Sequence, residues 1–86
     1  MHQVALEPRA RKELDRLPKD DGDMIALRIA SLALDPRPSG CVKVGAGDLY
    51  RIRAGRYRVL YEVRDRELVV LVVRVARRDE HTFRDV

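Results

Sequence analysis

Eighty-six residues, 45% hydrophobic and 37% charged, suit one folded domain over residues 1–86 with a small core, and argue against disorder. One cysteine, Cys41, excludes an internal disulfide, and no C-x-x-C pair or His/Cys cluster points to a metal, so no cofactor is expected. The longest apolar run, Leu68–Val73, is too short to span a bilayer and no secretion signal follows Met1, so the expected location is cytoplasmic.

In chain order, Gln3–Leu6 reads as a short edge or outer strand. Pro8 opens a helix, because proline is tolerated in a first turn, and Pro18 closes it. Ala10, Leu14 and Leu17 make its apolar stripe. A second helix is predicted from about Asp20 to Leu34. Asp20, Asp21 and Asp23 favour the positive end of its dipole, and Ile25, Ile29 and Leu32 form a stripe widened by Leu27, Ala30 and Leu34. The two should pack as a helical hairpin. Asp35–Gly40 is a loop.

Beyond Gly40 the apolar period changes from 3.6 to 2. Val42–Val44 is a short strand, and Gly45–Asp48 a turn. Tyr50, Ile52 and Ala54 alternate with Arg51 and Arg53. After a Gly55-Arg56 turn, Tyr57, Val59, Tyr61 and Val63 alternate with Arg58, Leu60 and Glu62. Arg64–Glu67 turns the chain into Leu68–Val75, apolar on both faces and so expected as the central strand. The short connections predict an antiparallel meander. The expected class is α+β, with two N-terminal helices on one face of a twisted antiparallel sheet of about four strands.

Residues 1–50 hold eight basic and eight acidic side chains, whereas residues 51–86 hold ten arginines and six acids. The whole excess of positive charge therefore lies in the C-terminal part. Arginine carries a permanently charged fork that matches phosphate oxygens, and clustered arginines are the footprint of a nucleic-acid partner. Strand parity lets Arg51, Arg53, Arg58, Arg74 and Arg78 converge on one face, provided the last strand stays regular. Glu62 has the parity to join them as a base, or pairs with an arginine. Tyr57 and Tyr61 are assigned to the core, Cys41 is assigned no chemistry, and His2 no role.

Four stretches carry a family resemblance: A-x-K-E-L-x-x-L-P (Ala10–Pro18), D-P-R-P-x-G (Asp35–Gly40), Y-R-I-R-A-G-x-Y-R-V-L-Y-E-V (Tyr50–Val63) and V-x-V-A-R-R (Val73–Arg78). Together they resemble the RelE/ParE superfamily of bacterial toxins, most specifically over Tyr50–Val63. The resemblance implies a fold similar to small microbial ribonucleases. It also implies a cognate antitoxin and one of two targets: messenger RNA in the ribosomal A site for the RelE branch, or DNA gyrase for the ParE branch. For the RelE branch it places Arg51 and Arg53 on RNA phosphates and Arg58 on the transition state. Arg78, with Arg77 beside it, is placed at the leaving oxygen. Arg56 and Arg74 complete the expected RNA-binding set. A tyrosine that would activate the 2′-hydroxyl is replaced by Phe83, which leaves His81 as the candidate base. The favoured reading is a ribosome-dependent mRNA endoribonuclease. The alternatives are a non-catalytic gyrase inhibitor and an inactive toxin that retains antitoxin binding.

Overall fold

The computed structural model describes residues 1–78. The elements are β1 (Gln3–Leu6), α1 (Pro8–Asp15), α2 (Lys19–Ser31), β2 (Val42–Val44), β3 (Leu49–Ala54), β4 (Tyr57–Arg64) and β5 (Val69–Arg77). The strands form one five-stranded sheet in the order β1-β5-β4-β3-β2. The class is α+β, as expected, but the sheet is mixed. β1 is an edge strand, as expected, but it adds a fifth strand to the sheet, parallel to β5, from Gln3 opposite Val69 to Leu6 opposite Val72. β4 is therefore the middle strand, and β5 is interior only where β1 covers it.

Pro8 begins α1 because a first-turn residue needs no donor. The helix closes at Asp15, with the Arg16 N–H bonded back to the Lys12 carbonyl, before Pro18 is reached. α2 starts at Lys19, with Asp20 and Asp21 in its first turn. Beyond Ser31 the N–H groups of Leu32, Ala33 and Leu34 reach carbonyls three residues back, which tightens the end into a narrower turn. Ile25, Ile29 and Leu32 are buried as expected, but Leu27 and Leu34 are 73% and 76% exposed. The sheet touches only the narrow stripe of α2, so those two leucines do not widen it.

The core lies between the helices and one sheet face. Ala10, Ile25, Ile29 and Leu32 pack on Ile52, Ala54, Tyr57, Val59, Tyr61, Val63, Val70, Val72 and Val75. Full burial of each large apolar side chain contributes about 1.5–3 kcal/mol. Tyr61 is fully buried and its hydroxyl donates to the Pro36 carbonyl at 2.7 Å, which ties the Asp35–Gly40 loop to the sheet. Burial first, and then Cys41 alongside, raise the Tyr61 pKa well above its usual value. Arg37 clamps the same loop: its guanidinium donates to Asp65 at 2.8 Å and to the Tyr50 hydroxyl at 3.0 Å. His2 joins this cluster with Nε2 3.1 Å from Asp65, while its N–H donates to the Ala33 carbonyl. A residue with no assigned role thus fastens the N-terminus.

β5 is not regular. Leu60 faces Arg74 and Tyr61 faces Val72, so Val73 is an extra residue, a β-bulge. Before the bulge, Val70 and Val72 point into the core; after it, Val75 does. The alternation changes phase midway along the strand.

Candidate nucleic-acid interface

The face away from the helices carries a small apolar patch, Val44, Leu60 and Ala76 with Leu49 and Val73 beside them. Arginines continue this patch toward the β3–β4 turn. Period-2 alternation puts Arg51 and Arg53 on this side of β3, because Tyr50, Ile52 and Ala54 take the core side. Arg58 is on the same side of β4 by the same rule. Arg53 stands directly opposite Arg58, and Arg58 opposite Ala76. Gly55 makes the two-residue hairpin loop possible, with φ of +59°. Arg56 follows it, and its carbonyl accepts the Arg78 N–H at 2.7 Å, which brings the end of β5 beside the turn.

Arg56, Arg58, Arg77 and Arg78 line an open hollow of about 390 Å³. Among the described residues, none of Arg51, Arg53, Arg56, Arg58 and Arg78 has a carboxylate within ion-pair distance. The Nε atoms of Arg51 and Arg58 are buried without a hydrogen-bond partner among these residues. Desolvation first, then the charges of Arg51, Arg53 and Arg78, pull the Arg58 pKa below its ordinary value. Like charges directly opposite across a strand pair are unfavourable, so this arrangement costs stability. An anion seated among the guanidinium groups would offset that cost and satisfy the idle donors.

The sequence-predicted residues divide accordingly. Arg51, Arg53, Arg58 and Arg78 come together, and Arg56 joins them from the turn. Arg77 stands opposite Tyr57, at the rim of the hollow. Its charge also acts on the Tyr57 hydroxyl, which donates to Asp21 at 2.8 Å. Arg74 does not converge with the others: it stands opposite Leu60 and turns around the edge of β5 beyond β1 to α1, where its Nε and Nη2 donate to the Glu13 carboxylate at 2.7–3.1 Å. Glu62 is paired with Arg64. His81 and Phe83 lie outside the described residues. Sequence reasoning missed Glu13, whose only signal was the E in A-x-K-E-L. Among the described residues no group of three or more His, Cys, Asp and Glu side chains is placed to hold a metal ion, and no helix is long and apolar enough to cross a membrane.

Comparison of structures places this architecture among known toxins. The RelE chain in the archaeal RelE–RelB complex of Pyrococcus horikoshii OT3 is 29% identical, with a TM-score of 0.81 over 92% of this chain and 97% of that one. RelE in the intact RelBE toxin–antitoxin complex of E. coli is 24% identical, with a TM-score of 0.81 over 93% of this chain and 100% of that one. A chain of the RelBE2 toxin–antitoxin complex of Mycobacterium tuberculosis is 24% identical, with a TM-score of 0.77 over 90% and 98%. Sequence comparison with curated proteins finds no match. The family model of the ParE toxin of type II toxin–antitoxin system, parDE, matches residues 4–82. With nearly the whole chain matched, this protein belongs to the ParE toxin family, within the RelE/ParE superfamily of type II toxin–antitoxin toxins.

Proposed function

We propose that this toxin is a ribosome-dependent mRNA endoribonuclease. The observation that carries the reading is the convergence of Arg51, Arg53, Arg58 and Arg78 on one open face, with no carboxylate among the described residues within ion-pair distance of them. Cleavage by the 2′-hydroxyl needs three things: a proton taken from that hydroxyl, charge stabilised on the phosphorane, and a proton supplied to the 5′ oxygen. Arg51 and Arg53 hold the phosphate backbone, and Arg58 donates to the phosphorane oxygens as their charge develops. Arg78 stabilises the charge that develops on the leaving 5′ oxygen, which then takes its proton from water. His81 is the candidate general base. Its unperturbed pKa of about 6.5 suits proton transfer near neutrality. A site rich in cations and poor in bases relies on its surroundings to orient the RNA, which suits a ribosome-bound substrate. A cognate antitoxin is the partner that restrains the toxin, as RelB accompanies RelE in the structurally similar complexes. Acidic residues on it would pair with the arginine face.

The test is cleavage of mRNA on programmed ribosomes by purified toxin. Arg58→Ala and Arg78→Ala should each lose at least about 10²-fold, the usual loss for one transition-state donor. Intact mRNA with the native toxin would reject the reading. Gyrase inhibition is the second reading, favoured by the match to the ParE family model. In that case supercoiling by gyrase stops while translation continues, and the arginine face is a binding surface.

A further inference from the structure

We infer that Glu13, on α1, is a positioning residue that sets the bulge in β5 and thereby delivers Arg78 to Arg58. The inference rests on the proposed function, because it concerns an arginine assigned to the RNA.

β1 covers β5 only as far as Val72, where the Glu7 N–H donates to the Val72 carbonyl and the chain turns into α1. Beyond that point the outer edge of β5 has no strand beside it among the described residues. Glu13 occupies the gap. Its Oε1 accepts the Val75 N–H at 2.9 Å, a bond that a neighbouring strand's carbonyl would otherwise make. The same carboxylate receives Arg74 in a forked contact, with Nη2 at 2.7 Å from Oε2 and Nε at 3.0–3.1 Å from both oxygens. Both side chains are largely buried, 19% exposed for Glu13 and 15% for Arg74.

This one carboxylate therefore binds the two residues on the C-terminal side of Val73. Without the extra residue, β5 would continue the alternation of Val70 and Val72. Arg74, Ala76 and Arg78 would then point toward the helices. With it, Val75 takes the core position opposite Val59, Ala76 joins the outer apolar patch, and Arg78 follows onto the outer face. Bulges commonly re-aim a side chain beside a functional site. Here the re-aimed side chain is Arg78, close enough for its charge to depress the Arg58 pKa.

Two variants separate this role from simple stabilisation. Glu13→Ala removes the carboxylate. Glu13→Leu combined with Arg74→Met removes the ion pair with apolar groups of similar size, an exchange that usually preserves folding. In the folded double variant, amide exchange by NMR should quicken about tenfold or more at Val75 and Arg78, while Ile52 and Val70 keep their protection. Native protection at Val75 and Arg78 would overturn the inference. The second measurement is mRNA cleavage on ribosomes. Glu13→Ala should cost about 10–10²-fold per folded molecule, as misplacement near a reacting group does. In an Arg78→Ala background the same change should cost less than about twofold, because the residue it positions is gone. An equal cost in both backgrounds would show that Glu13 does not act through Arg78. If native toxin cuts no RNA, the proposed function fails, and the amide measurement still decides the positioning role.

Discussion

Replacing Arg58 with methionine should make the toxin more stable while removing its proposed activity. Arg58 faces Arg53 directly across the strand pair, has Arg51 and Arg78 close by, and buries an Nε without a partner among the described residues. Charges on such neighbours lie about 7 Å apart, so each pair costs roughly 0.6–1.2 kcal/mol at an effective dielectric of about 40–80. Three neighbours, halved by screening at about 0.1 M salt, give roughly 1–2 kcal/mol. The idle buried donor adds about 1 kcal/mol, the low end for such groups. Methionine keeps the apolar stem and removes both penalties, so the expected gain is about 2 kcal/mol. Urea unfolding of native and Arg58→Met toxin measures it directly. In about 1 M NaCl the repulsion is screened, and the gap should shrink by about half. An Arg58→Met protein no more stable than native at low salt would refute the idea that this face stores electrostatic strain.

Other predictions concern the framework of the site. Asp65 is held below the usual carboxylate range, first by Arg37 and then by His2. A depressed carboxylate contributes stability above its unfolded pKa of about 3.9 and loses it as pH falls through the lower folded value. Asp65→Asn should therefore be less stable than native at pH 7, with the difference closing below about pH 4 in acid-unfolding curves. Gly55→Ala should cost about 1–2 kcal/mol by denaturant melts, because φ at +59° forces a side chain into the left-handed region. The new Cβ would also meet the Met24 methyl at 2.9 Å, a flexible tip that can turn aside. Leu68 is half exposed and holds φ of +54°, so Leu68→Asn should raise the melting temperature by a few degrees, as relief of about 1 kcal/mol does.

Much of the fold was legible because its signals are local. Apolar spacing located both helices, period-2 alternation located β2 to β4, and a continuous apolar run located β5. The same alternation put Arg51, Arg53 and Arg58 on one side, since strands with no irregularity obey parity. Where the reading failed, a distant contact had decided. Arg74 fits the run of arginines by alternation, but Glu13, 61 residues away, binds it at the edge of β5 beyond β1. Leu27 and Leu34 fit a helical stripe, but the sheet does not reach them. His2 acquired a role only because Asp65 folds back against the N-terminus.

The sequence by itself determined which residues are apolar, where the chain turns, and that the surplus of cations falls in its second half, because these depend on side-chain type and short-range periodicity. Only tertiary structure decided the parallel seat of β1 and the phase of β5. Both are set by hydrogen bonds to partners remote along the chain, and one extra residue in a strand sends every later side chain to the opposite face.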